Sequence, residues 1–285
     1  LGKMQIPVFA IASTQSFLNN TSDIYVIKTD QYGDTTWTKT YGNSANQDIA
    51  ASVRQAADGG YIIAGSTGTS YAASDAVVVK INGAGALQWN RTVTGTSGER
   101  ANYAEEIAGG GGYVATGRFT AGVMVNSGLL KLTSTGTLQA VRAFGGTAGS
   151  ISEGFSIEQV QAGSFVVGGQ VKQGAIPFDG FFNVIASTGT TVITSVALNA
   201  GGAESRAIIR QTADGNYIAC GIFGAPPNLD IFLAKMNTSG TQLWANRYGG
   251  ANNDIPRSMI VTNTGEYAIA GITNSSGAGN TDAFL

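Results

Sequence analysis

Five polar side chains recur at one spacing. Asp48, Arg100, Ser152, Glu204 and Asp254 each stand thirteen residues before an aromatic residue: Tyr61, Tyr113, Phe165, Tyr217 and Tyr267 in turn. The place is constant while the residue type varies, so packing does not require any one of them. Two readings fit: a polar funnel that binds a small polar ligand or ion, or charges at a loop that water solvates. Glu105, Glu106 and Glu158 lie in the following stretches, and paired carboxylates there would suit acid–base work or glycoside hydrolysis. Alternation, however, sends one of the adjacent Glu105 and Glu106 outward. The chain has no histidine, which removes the commonest general base and every His-containing zinc site or catalytic triad. Its one cysteine, Cys220, lies in "YIACGIF", where a small buried thiol fits better than a nucleophile. No stretch has the spacing of an EF-hand, a P-loop or a haem attachment site, so no catalytic residue, metal or cofactor is assigned.

The elements that must position these residues repeat. "DGGYIIAG" at 58–65 returns as "GGGYVATG", "AGSFVVGG", "DGNYIACG" and "TGEYAIAG", an aromatic opening each and Gly65, Gly117, Gly169, Gly221 and Gly271 closing them. A second marker, Asp or Asn before a short apolar run (Asp23, Asp75, Asn126, Asp179, Asp230, Asp282), steps by 52, 51, 53, 51 and 52 residues. Each period reads as four short strands, rich in β-branched and aromatic residues and bounded by turn residues, with no sustained helical stripe. The tight turn before the fourth strand carries Gly33, Gly85, Gly136, Gly189 and Gly240, where a hairpin needs positive φ. All three tryptophans, Trp37, Trp89 and Trp244, follow that glycine by four residues, and Ala140 and Ile193 take the place in the other two copies. A large flat ring repeated there would wedge between neighbouring sheets, together with the five opening aromatics.

Periods of this length with four strands each predict an all-β fold, a β-propeller of four-stranded antiparallel blades. Stacking around an axis buries both faces of sheets that could not stand alone. The expectation is one domain over 1–285, with blades at roughly 1–45, 46–97, 98–149, 150–201, 202–251 and 252–285. That gives six positions, four complete and two partial at the termini, with five or seven as alternatives. The glycine closing each phrase would admit the backbone of a neighbouring blade. The start at Leu1 reads as a mature end or a fragment edge, and a strand at Leu1–Ile6 or beyond Leu285 would complete the partial blades or come from another molecule.

Charged residues are 12%, about half the usual ~25%, and the 41 glycines are about twice the usual ~7% share. Net charge is −2 without a Lys/Arg run, which argues against nucleic acid and anionic membrane surfaces as partners. No apolar run approaches the ~20 residues of a membrane span. Asn19, Asn20, Asn90, Asn237 and Asn274 each begin an Asn-x-Ser/Thr triplet, weak evidence for glycosylation in a chain this rich in Asn, Ser and Thr.

"VIKTDQYGDTTWTKTYGNSANQDIAASVRQAADGGYIIAGSTG" and "GEYAIAGITNSSGAGNTDAFL" resemble the glycine-rich tandem β-propeller repeats of secreted and cell-surface proteins of bacteria and archaea. The resemblance runs over essentially the whole chain, though "KLTSTGTLQA" and "VIASTGTTVI" lack the tryptophan. "TDQYGDTTW" departs from the sialidase Asp box by one residue and is closer to the Gly-x-x-x-Trp docking turn of quinoprotein propellers, in which the tryptophan is structural. The resemblance implies an extracellular or cell-surface location and is nearly silent on activity; low charge, abundant small polar residues and the absent catalytic residue types point to a non-enzymatic interaction, adhesion or assembly module, with protein or glycan partners. Strands shared through the termini would make a homo-oligomer or filament. The alternative is a lectin or carbohydrate-active enzyme (glycosidase or lyase) using the central channel, which Asp48, Arg100, Ser152, Glu204 and Asp254 would line, with Tyr71 and Tyr103 as rim platforms for sugar.

Overall fold

The computed structural model describes residues 9–15, 22–43, 45–96, 98–121, 124–144, 150–160, 163–173, 178–198, 202–225 and 227–285. Leu1–Ile6, Asn19 and Asn20 lie outside them, as does the side chain of Tyr71. The chain forms two compact units, one of Leu1–Ala121 with Leu130–Gln139, the other of Gly122–Leu129 with Ala140–Leu285.

The strands run as meanders. The first is β1 (Phe9–Gln15), β2 (Ser22–Thr29) and β3 (Thr35–Tyr41). The second is β4 (Gln47–Gln55), β5 (Tyr61–Gly68), β6 (Ser74–Ile81) and β7 (Leu87–Val93). The third is β8 (Arg100–Glu106), β9 (Tyr113–Ala121), β10 (Met124–Leu132) and β11 (Leu138–Phe144). The fourth is β12 (Ser150–Gln159), β13 (Phe165–Gln173), β14 (Asp179–Ile185) and β15 (Val192–Ala197). The fifth is β16 (Glu204–Gln211), β17 (Tyr217–Ala225), β18 (Asn228–Met236) and β19 (Gln242–Tyr248). The last is β20 (Asp254–Val261), β21 (Tyr267–Thr273) and β22 (Asp282–Phe284). Neighbours pair antiparallel in sequence order. The third and fourth meanders join through one parallel residue pair, Val125 with Ile151, so hydrogen bonding divides the described strands into five sheets. The only described helix is a single 3₁₀ turn at Tyr71–Ala73.

The continuous apolar phrase of each second strand is explained by burial on both faces. In the first unit Tyr61 and Ile63 of β5 join Ile24, Val26, Val77 and Val79 against the first meander. Ile62 and Ala64 point the other way, to Ala101, Tyr113 and Leu130. In the second unit Tyr217 and Ala219 of β17 face Val166 and Phe182, while Ile218 and Cys220 face Leu233 and Met259. Fourth strands are largely exposed, β7 and β19 burying no residue completely.

The hairpin turns follow the expected chemistry. Gly33, Gly85, Gly136, Gly189 and Gly240 have φ between +79° and +89°. The Asp or Asn opening the turn folds back on it: Asn82 Oδ1 accepts from the N–H groups of Ala84 (3.0 Å) and Ala86 (2.9 Å), and Asp30 Oδ1 from Tyr32 (2.8 Å) and Asp34 (3.0 Å). Asp30 is therefore a turn-forming residue.

The glycine that closes each phrase answers to its own sheet. Every complete first strand carries a bulge, at Ala50/Ser52, Ala101/Tyr103, Gly154/Ser156, Ser205/Ile208 and Pro256/Ser258. The bulge drives a carbonyl of the first strand onto the Cα of the second. A Cβ on Gly65, Gly117, Gly169, Gly221 or Gly271 would overlap Ile49 O, Arg100 O, Glu153 O, Ser205 O or Ile255 O respectively. The expectation that a neighbouring blade crowds these glycines is corrected: the close backbone is the adjacent strand of the same blade.

Tryptophans lie in the inter-blade layer. Trp37 meets Tyr61 edge-on with ring centroids 6.3 Å apart, and Trp89 meets Tyr113 at 5.5 Å. Trp37 Nε1 donates to Gly83 O (3.2 Å) and Trp89 Nε1 to Ser134 O (3.1 Å), each docking on the hairpin turn of the following meander. Trp244 packs on Tyr267 at 6.4 Å. In the fourth meander the pairing Val184 with Thr194 matches Lys80 with Trp89, so Thr194 and not Ile193 occupies the tryptophan place. That turn is one residue longer: Ala186 N reaches Thr191 O, where Asn82 N reaches Ala86 O. Phe182, from the third strand, fills the layer instead and meets Tyr217 at 5.4 Å.

A buried lysine ties two of the turns. Lys80, its side chain 2% exposed, donates to Asp58 Oδ2 (2.7 Å), Gln88 Oε1 (2.9 Å) and Ile81 O (3.2 Å). The Lys80 hydrogen bond holds the Asp58 carboxyl below the ordinary carboxylate range, against the opposing effect of burial. A carboxylate with a depressed folded pKa contributes stability above its unfolded pKa and loses it as pH falls through the folded value. Asp58→Ala should therefore cost about 1–2 kcal/mol at neutral pH, allowing for the carboxylate's exposure. The gap from wild type should close in acid. Urea unfolding of both proteins at neutral and acidic pH checks this; a gap that is the same at both would exclude the ion pair as its source.

Candidate functional site

The recurring polar position lies at the start of each first strand. In the first unit Asp48 is 5% exposed, and its Oδ2 accepts from Asn43 N (3.0 Å). Asp48 stands two residues before Ala50, the partner of Gly65; in the third meander Ala101 partners Gly117, so the matching residue is Glu99. The glycine turn 107–112 is one residue longer than 56–60, and a count from the aromatic therefore lands on Arg100 instead. Glu99 is buried and accepts from Thr96 N (3.1 Å) and from the Thr120 hydroxyl. Arg100 is buried beside it, donating from Nη2 to Gly98 O (3.3 Å).

The second unit holds the other three. Ser152 Oγ accepts from Ser127 N (2.7 Å) and donates to Phe144 O (3.3 Å). Glu204 Oε1 accepts from Gly202 N (3.1 Å). Asp254 Oδ2 accepts from Gly250 N (2.8 Å) and Ser275 Oγ (2.7 Å). Burial raises the Asp254 carboxyl, but the bonds from Thr273, Ser275 and Gly250 outweigh it and hold the group below its ordinary value. Glu204 and Asp254 thus accept from N–H groups of the segments that precede their strands, and Ser152 bonds to β10 and β11 of the preceding meander, a structural duty that buried groups require.

The mid-strand carboxylates are used similarly. Glu106 accepts from Ala57 N, and Glu158 Oε2 from Gln211 N (2.8 Å). Burial raises the Glu158 carboxyl, opposed by that N–H and by Arg210. Tyr103 lies on β8 with its ring under the Arg54 guanidinium (4.7 Å) and its hydroxyl accepting from Arg54 Nε (2.5 Å), which differs from an open sugar platform. Cys220 is buried among apolar side chains, and burial pushes its thiol up to about 12. Among the described residues no three His, Cys, Asp or Glu side chains come together as a metal site, and no helix is long and apolar enough to cross a membrane.

One cavity gathers unused polar groups. It lies in the first unit between the first and second meanders, has a volume of about 620 Å³, and contains Asp48. Asp75, Asn90 and Thr92 line it with Tyr41, above an apolar floor that includes Val77 and Val79. The Tyr41 hydroxyl, pushed up to about 12 by burial, donates to Gly85 O (2.6 Å) and fixes one wall. Asp75 was legible in the sequence as a period marker; nothing in the linear pattern put it beside Asp48.

An all-β chain of antiparallel four-stranded blades in a propeller arrangement is thus the class defined by fold and site. No family model matches the chain, and no curated protein matches it. Among solved structures it is similar to a protein of unknown function from Dyadobacter fermentans, at 14% identity and TM-score 0.58 over 82% of this chain and 77% of that one. It is also similar to an endo-arabinase from Bacteroides thetaiotaomicron, at 11% identity and TM-score 0.48 over 83% of this chain and 93% of that one. The first likeness concerns the fold alone.

Proposed function

We propose that this chain is a non-enzymatic recognition propeller of the cell exterior, an adhesion or assembly module with a protein or glycan partner. The observation that carries the reading is the use made of its first-strand carboxylates. Asp48, Glu204 and Asp254 each accept a backbone N–H of their own inter-blade loops, so all three already have a structural use that accounts for a buried carboxylate at this place. Low charge and abundant small polar residues favour an extracellular setting. A panel of chromogenic glycosides and plant and bacterial polysaccharides should give no product with the purified chain. Product release abolished by Glu204→Gln in a folded protein would overturn the reading in favour of the carbohydrate-active alternative.

Self-assembly through terminal strands is part of the same proposal. Among the described residues β1 is hydrogen-bonded only to β2, and β22 only to β21. An open strand edge is a template for another chain. Light scattering after size exclusion should show concentration-dependent multimers, and a monomer at every concentration would exclude strand sharing.

A further inference from the structure

We propose that the cleft between the first and second meanders binds the neutral sugar residues of a glycan. This rests on the recognition reading only in giving that reading a ligand class. The cleft, at about 620 Å³, falls in the size range of small-molecule sites. Among the described residues no lysine or arginine lines it, so a phosphate, sulfate or sialic acid would find no countercharge there. A cation is poorly served as well, because among the described residues no three His, Cys, Asp or Glu side chains come together there.

What remains matches a polyhydroxylated ring. The side chains of Asp75 and Asn90 hold no hydrogen bond among the described residues, so they can meet hydroxyl groups without breaking any existing bond. Asp75 accepts only, whereas the Asn90 amide both donates and accepts, as does the Thr92 hydroxyl; together they suit vicinal hydroxyls, which also do both. Across the β6–β7 register Thr92 stands opposite Val77 and Asn90 opposite Val79, so polar edge and apolar floor alternate within one face. Leu87, 53% exposed, extends the apolar surface at the mouth. A pyranose has the same division, hydroxyls around its edge and C–H groups on its face.

The test uses the full chain and methyl glycosides of glucose, galactose, mannose and fucose in saturation-transfer NMR, with a glycan array that includes neutral, sialylated and sulfated chains. The expected result is transfer from at least one neutral glycoside, and affinity weakened more than tenfold by Asp75→Ala and by Asn90→Ala at unchanged thermal midpoint. Both residues lie outside the cores, and Asn90 is exposed, so at least that variant keeps the fold. No transfer from any neutral glycoside, binding untouched by both substitutions, or binding to sialylated and sulfated chains alone would overturn the proposal. Turnover of a bound glycoside would instead end the non-enzymatic reading and leave this site standing.

Discussion

Gly117→Ala should cost about 3 kcal/mol or more, at the upper end of what forcing an extra carbon into a packed interior does. The added Cβ would lie 2.9 Å from Arg100 C and 3.0 Å from Ala101 Cα, and closer still to Arg100 O. All three are backbone atoms of β8, fixed by the pairing of Arg100 with Arg118 and Ala101 with Gly117. No side chain can rotate out of the way; either the bulge at Ala101/Tyr103 flattens or the β8–β9 pair separates. Gly109→Ala is the control. It has φ +77° but nothing within 4 Å of the added carbon, so it should cost only the left-handed strain of an L-residue, about 1–2 kcal/mol. Urea unfolding of the two variants separates steric overlap from backbone strain. Equal losses would mean that β8 yields easily and that the bulge is not what keeps this position glycine.

That glycine shows what a one-dimensional pattern carries and what it omits. Strand order, turn positions and the opening aromatics were legible because each is a local property: Asn82 with Gly85 makes its hairpin whatever lies nearby. The reason for Gly117 was not legible, because a bulge is a relation between two strands: the glycine marks a close approach but not which backbone makes it. Position counting failed in the same physical way at two points. One extra residue in the turn 107–112 moved the expected polar site from Glu99 to Arg100, and one in the turn 186–191 moved the expected ring position from Thr194 to Ile193. Loops absorb insertions at small cost while paired strands keep register, so spacing counted across a turn is the weaker ruler. The substitution of Phe182 for a tryptophan, from a different strand, was likewise invisible until the layer it fills could be seen. The cleft is the extreme case. Asp48 and Asp75 are separated by the whole of β5, and they line one cavity because both stand opposite Thr67 in the β4–β5–β6 register, a relation between strands that spacing alone does not show.

Trp89→Ala should be the most damaging single side-chain truncation in the inter-blade layer, at about 3 kcal/mol. The ring does three things at once. It meets Tyr113 edge-on at 5.5 Å, donates from Nε1 to Ser134 O at 3.1 Å, and covers the turn at Gly136. Trp89→Phe keeps the aromatic contact and loses the donor, so it should cost nearer 1 kcal/mol through the unpaired Ser134 carbonyl. Gly136 supplies an internal check. Its added Cβ would lie 2.6 Å from Trp89 Cδ2 and 2.7 Å from Cε3, and the residue has φ +80° besides. In the wild-type background Gly136→Ala should show both ring overlap and left-handed strain. In the Trp89→Ala background the overlap is gone and only the strain is left, about 1–2 kcal/mol. The double-mutant cycle should accordingly give a coupling energy of about 1 kcal/mol or more between residues 47 positions apart. Additive losses would mean that Trp89 is a solvent-facing ring that merely lies near the turn, and the docking of one blade on the next would have to be sought in the cores at Tyr113 and Leu130 alone.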